Sequence, residues 1–109
     1  MIQIIRKLQS ENKYGFTLNL ESMEIVKKGI SVAYEKTQNS FTDEDINKVI
    51  IHATKNDNTI GGWLSDNGKY YFDSVKIFKD NEMENAIKFG KDNNQIAIFD
   101  ITNLKEIKL

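Results

Sequence analysis

The sequence predicts an α+β fold, a mainly antiparallel sheet of about five strands with two helices on one of its faces. Three stretches carry that prediction. Ile60 to Phe78 reads as two strands closed by Asn67-Gly68, Phe41 to Ala53 as a capped amphipathic helix, and Asn81 to Ile101 as a second helix leading into a strand. The order is ββαββαβ within a single domain spanning 1-109, and helices segregated to one side of an antiparallel sheet are the natural way to bury such a pattern.

In the first stretch, Tyr70-Tyr71-Phe72-Asp73-Ser74-Val75-Lys76-Ile77-Phe78 is aromatic and β-branched, and both of its faces carry large apolar residues. Such composition suits a half-buried pleated surface. Asn-Gly is the strongest short hairpin signal, because both central residues of a type I′ turn need positive φ. A two-residue turn there sets Leu64 opposite Tyr71, Trp63 opposite Phe72 and Ile60 opposite Val75. It also sets Asp73 opposite Gly62.

The second stretch opens with Thr42 as N-cap and Asp45 three residues on, preceded by Phe41 at the position that staples onto Ile46. Asp43 and Glu44 complement the positive end of the dipole, so the helix begins at Asp43. Ile46, Val49, Ile50 and Ala53 form its buried stripe, and Lys55-Asn56-Asp57-Asn58 ends it. In the third stretch Asn81 and Glu84 form a capping pair, and Met83, Ala86, Ile87 and Gly90 recur at i, i+3, i+4 and i+7 on one helical face. Gln95 to Ile101 then reads as a strand buried on both sides, placed by the helix crossover in the middle of the sheet.

The amino-terminal half is less regular. Residues 1-10 satisfy both strand and helix spacing, and read as a short helix or an arm. Phe16, Leu18 and Leu20 alternate as a strand after Gly15, and Ile30, Val32 and Tyr34 as another after Gly29. Between them lies a polar turn with a short extended piece. Leu104 to Leu109 adds a short edge strand whose Lys105 and Lys108 blunt edge pairing.

Composition narrows the function classes. The chain has 109 residues, 39% of them hydrophobic, with 15 basic and 16 acidic residues and a net charge of −1. One core of ordinary size is affordable without staples. A charge so close to neutral gives no field to draw the chain onto nucleic acid or an anionic membrane, so direct nucleic-acid binding is not expected. No cysteine is present, which rules out disulfides and thiolate zinc sites and fits a reducing cytoplasm. No apolar run approaches the roughly 20 residues that span a bilayer. Fourteen lysines against one arginine, with twelve asparagines and fifteen isoleucines, reflect AT-rich codons, so lysine-rich surface carries little functional weight.

Few residues invite chemistry. His52 is the single histidine, which excludes histidine-rich metal centres, and it lies at the margin of the apolar stripe as a boundary residue. Asp100 with Glu106-Ile107-Lys108 has the letters of a metal-dependent nuclease, but the same E-x-K triplet recurs at Glu11-Asn12-Lys13 by chance. No dinucleotide fingerprint, P-loop or nucleophile elbow occurs, so neither a catalytic residue nor a cofactor is expected. Asp73 sits within an apolar strand, where a carboxylate is costly unless it is exposed or hydrogen-bonded. It reads either as a satisfied structural group or as a ligand contact beside the side-chain gap left by Gly61 and Gly62. Finally, Trp63, Tyr70, Tyr71 and Phe72 cluster about the hairpin, and two helices cannot cover both faces. Whichever set faces away from the helices, Trp63 with Tyr70 and Phe72 or Tyr71 with Leu64, is an exposed aromatic patch suited to protein binding.

Gly61-Gly62-Trp63, Tyr70-Tyr71-Phe72-Asp73, Glu84 to Lys88 and Asn94 to Asp100 together resemble a small domain found in phage and conjugative-element proteins of gut bacteria, alone or within large polyvalent proteins. The resemblance covers the carboxy-terminal half, with a looser echo over Gly29 to Phe41, and defines no catalytic motif. It implies a mobile-element protein in the bacterial host cytoplasm, where small domains of this kind often block host defence enzymes.

These readings converge on a non-enzymatic protein that binds a host protein, an anti-defence inhibitor of anti-CRISPR type being the leading expectation. The expected binding residues are Trp63, Tyr70, Tyr71, Phe72, Asp73, Gly61 and Gly62. The alternatives are a domain that sequesters a nucleotide signal at Gly61, Gly62 and Asp73, and a small nuclease using Asp100, Glu106 and Lys108. A homodimer through an open sheet edge is the further partner to consider.

Overall fold

A computed structural model describes residues 1–109 and is α+β, with three helices on one face of a seven-stranded antiparallel sheet. The helices are α1 (Ile2–Glu11), α2 (Asp43–Thr54) and α3 (Met83–Asp92). The strands are β1 (Gly15–Asn19), β2 (Glu24–Ile25), β3 (Ile30–Ala33), β4 (Thr59–Leu64), β5 (Tyr70–Phe78), β6 (Ala97–Asp100) and β7 (Lys105–Lys108), in the spatial order β2-β1-β4-β5-β3-β6-β7. The structure adds one helix and two strands to the ββαββαβ order, and these are the segments read as a short helix or arm at residues 1-10, a short extended piece before Gly29 and an edge strand after Leu104. Residues 1-10 resolve in favour of helix, because Ile5 enters the core while Ile2 and Leu8 flank it.

Period-two alternation fixes which residues the helices cover. Phe16 and Leu18 of β1, Ile60 of β4, and Tyr70 and Phe72 of β5 pack with Ile5, Ile46, Val49 and Ala53 from α1 and α2. Ile30 and Val32 of β3, Phe78 of β5 and Ile98 of β6 form a second cluster with Ala86 of α3. The long β5 joins the two clusters along a single sheet face. Arg6 ties α1 to the start of α2, donating to Asp43 Oδ1 at 2.7 and 2.9 Å and to the Phe41 carbonyl at 3.1 Å.

Helix α2 begins as its caps require. Thr42 Oγ1 accepts from the Asp45 amide at 3.0 Å, and the Asp45 carboxylate accepts from the Thr42 amide at 3.3 Å. The ring of Phe41 nevertheless lies edge-on to Tyr71, with centroids 5.8 Å apart. At α3 the expected Asn81–Glu84 pair does not form. A 3-10 turn (Asp80–Glu82) precedes the helix, and Glu82 reaches back to accept from the Lys79 amide at 2.8 Å. The predicted inward face does form, with Ala86 and Gly90 buried and Met83 and Ile87 packed on the core.

Strand β6 departs from expectation in two respects. It is next to last in the sheet, between β3 and β7, and only one of its faces is covered. Ile98 is buried, whereas Phe99 is 41% exposed on the opposite face. The continuous apolar run reflects an uncovered apolar surface and not burial on both sides.

The hairpin is the main correction. Gly68 alone in the turn takes positive φ, at +85°. The Gly68 amide donates to the Ser65 carbonyl at 3.0 Å, and the Ser65 amide to the Lys69 carbonyl at 2.8 Å. Ser65 and Lys69 therefore enclose a three-residue loop, the form in which a type I turn is followed by a left-handed glycine. The register moves by one residue against the two-residue prediction, so Gly61 faces Asp73, Gly62 faces Phe72, Trp63 faces Tyr71 and Leu64 faces Tyr70.

Candidate functional site

That register decides which aromatic residues are available. Tyr70 is 8% exposed and Phe72 fully buried, both on the helix-covered face, and Gly62 lies with them. An added Cβ at Gly62 would meet the rings of Phe16 and Tyr70 at 2.8 and 2.9 Å, so this glycine admits close packing of core rings. These three of the expected binding residues therefore lie within the helix-covered packing. Trp63, Tyr71, Asp73 and Gly61 share the opposite face, which no helix covers. Trp63 is 47% exposed there.

Phe41 joins this set, a contribution that sequence reasoning missed. Ser40 forms an antiparallel bridge to Phe72, and the Phe72 amide donates to its carbonyl at 2.8 Å. The chain entering α2 thus runs beside the first half of β5 and sets the Phe41 ring against Tyr71. Tyr71 in turn lies 5.4 Å from Trp63, centroid to centroid. The three rings form a continuous surface, rimmed by the Lys69 ammonium 4.3 Å over the Phe41 ring. Asn67 Nδ2 donates to the Tyr71 hydroxyl at 2.8 Å and holds that ring in place. The only available signal for Phe41 was its position before the N-cap, which pointed it inward.

Asp73 borders the patch beside Trp63. Its Oδ2 accepts from the Trp63 indole Nε1–H at 3.2 Å. Burial pushes its carboxyl up to about 6, and the Trp63 hydrogen bond only partly opposes that. The chain's two ion pairs, Arg6–Asp43 and Lys76–Asp57, lie elsewhere. Across from Asp73, Gly61 leaves a gap on the same face, closed at its base by Val75, whose Cγ1 is 3.1 Å from an added Cβ. The arrangement offers flat aromatic surface beside a carboxylate that has no cationic partner. The surface hollows lined by Asp80 to Asn85, and by Met1 to Gln3 with Asp43 and Asn47, do not involve Gly61 or Asp73.

The nuclease letters are not brought together. Asp100 pairs with Ile30 on the helix-covered face, while Glu106 pairs with Phe99 on the open one. The Asp100 carboxylate instead closes the turn after β6, accepting from the Asn103 amide at 3.1 Å and from its side chain at 2.8 Å. Those two bonds hold it below the ordinary carboxylate range.

His52 has a partner that no motif revealed, since Ser74 Oγ lies 2.8 Å from its Nδ1. The Tyr34 ring stands edge-on at 4.8 Å, with its hydroxyl donating to Asp57. Ser74 is fully buried, so no substrate reaches its hydroxyl, and the pair satisfies two polar groups beneath α2. Burial, helped by Lys36 and opposed by Asp57, lowers the His52 pKa. No helix of the chain is long and apolar enough to cross a membrane. No family model, curated protein or solved structure matches this chain.

Proposed function

We propose that this chain is a non-enzymatic binding protein whose uncovered sheet face docks onto a protein partner. The observation that carries the reading is the exposed Trp63, continuous with Tyr71 and Phe41, on the face opposite all three helices. Aromatic residues of this kind are enriched at the energetic centres of protein interfaces. The surrounding hydrogen bonds from Asn67 and to Asp73 hold the rings before any partner arrives, which lowers the entropy lost on docking. The resemblance of the carboxy-terminal half to phage and conjugative-element domains makes a host protein, and a defence enzyme in particular, the partner class to test first. Inhibition by occupying such an enzyme's surface is the mechanism this reading implies.

The test is capture from a lysate of a gut bacterium, comparing the native chain with Trp63→Ala and with Ile51→Ala, a change at an exposed position on α2. The proposal predicts a band retained by the native chain and by Ile51→Ala and lost by Trp63→Ala. A band bound equally by all three places the interface elsewhere.

A further inference from the structure

The docking face holds a feature that aromatic packing does not explain. Asp73 is half-buried between Trp63, Tyr71 and Val75 on a largely apolar strand, and the one side-chain donor it meets is a neutral indole. The chain's fourteen lysines are abundant enough to have supplied a neutralising partner, yet both ion pairs form at other carboxylates. A carboxylate kept in that state costs stability, and a cation brought from outside would recover it. The geometry around it is selective. Its Oδ2 is taken by Trp63, Oδ1 carries no protein bond, and Gly61 directly across the strand pair removes the side chain that would fill the adjoining space. Trp63 and Tyr71, tilted by 33° with centroids 5.4 Å apart, are the aromatic neighbours of Asp73 on this face.

We propose that Asp73, Trp63 and Tyr71 form the seat for an arginine side chain of the protein that docks on this face. A guanidinium is planar, so it stacks on an aromatic face while its edge donates to a carboxylate, and it sheds water more readily than an ammonium. Lys69 lies 4.3 Å over Phe41, the ring next to Tyr71, so a cation of the chain itself already packs on the rim of this patch. This assignment rests on the docking role proposed above and specifies the chemistry of the partner's anchor.

The experiment is an NMR titration of the intact chain with acetyl-Gly-Arg-Gly-amide, using as control the same peptide with citrulline, which keeps the shape and loses the charge. The expected result is a shift of the Trp63 indole N–H and the Gly61 amide with the arginine peptide, at least about tenfold weaker with citrulline as charge-assisted bonds require, and abolished in Asp73→Asn. Equal shifts from the two peptides, no shift from either, or an undiminished response in Asp73→Asn overturns the assignment. A partner that Asp73→Asn binds as tightly as the native chain, but that Trp63→Ala releases, leaves the docking face standing and removes the arginine seat.

Discussion

The Trp63 indole donates to the carboxylate of Asp73 across the β4–β5 pair, joining the one tryptophan of the chain to a carboxyl group that has no cation. A half-buried carboxylate in that position has a measurable signature. Its folded pKa is about 6 against an ordinary 3.8, so the folded state favours the protonated form. The destabilisation it causes is fully present above pH 6 and disappears as pH falls from about 6 to 4. At about 1.4 kcal/mol per pH unit the ceiling is about 3 kcal/mol, which partial solvent access reduces to about 1 to 2. Asp73→Asn keeps an acceptor for Trp63 and removes the charge. It should raise the urea midpoint at pH 7 and match the native chain at pH 4, whereas equal midpoints at pH 7 contradict the assigned burial.

His52 acts in the opposite sense over an overlapping range. Its folded pKa lies below the ordinary 6.5, so the stability associated with its neutral form is present above that value and is lost as pH falls through it. Asp73 and His52 therefore act with opposite signs as pH falls below about 6 in the native chain. His52→Gln, which preserves a hydrogen-bonding group towards Ser74, should become relatively more stable on acidification through this range. Asp73→Asn should become relatively less stable. Urea titrations of the two variants in parallel check both signs, and slopes of the same sign would refute the assignment.

The adjacent glycines Gly61 and Gly62 answer to different faces, and alanine should separate them. At Gly62 the new Cβ runs into the packed Phe16 and Tyr70 rings, so overpacking should cost about 1 to 3 kcal/mol by thermal or urea unfolding. At Gly61 it meets only the Cγ1 of the buried Val75, at 3.1 Å, on the face opposite the helices, and the cost should be under about 1 kcal/mol. Comparable losses at both positions would mean that Val75 cannot give way and that Gly61 is packed as tightly as Gly62.

Local chemistry that decides its own outcome was readable from the sequence. Thr42 and Asp45 form reciprocal bonds within four residues, and the start of α2 follows from them alone. The strands beginning at Gly15 and Ile30 alternate cleanly, and burial obeys that alternation. The hairpin register was not readable, because Asn67-Gly68 is compatible with both a two-residue and a three-residue loop. The bond from Ser65 to Lys69 that selects the longer one depends on how β4 and β5 pair over their whole length. A shift of one residue exchanged Trp63 and Leu64 between the two sets, so that Trp63 shares the open face with Tyr71 while Leu64 joins Tyr70 and Phe72. Phe41 was out of reach for a related reason. Its place in the patch comes from the Ser40–Phe72 bridge, a contact between distant segments that no local pattern encodes. The apolar run at Ala97 to Ile101 misled because a strand with an exposed apolar face and a doubly buried strand have the same composition.

Hydroxyl-radical footprinting of the chain, free and with its captured partner, tests the central claim most directly, because it reads side-chain exposure ring by ring. The account predicts protection of Trp63, Tyr71 and Phe41 on complex formation, with Ile51 on α2 unchanged. Protection confined to the helices, with Trp63 labelled as heavily in the complex as alone, would contradict it.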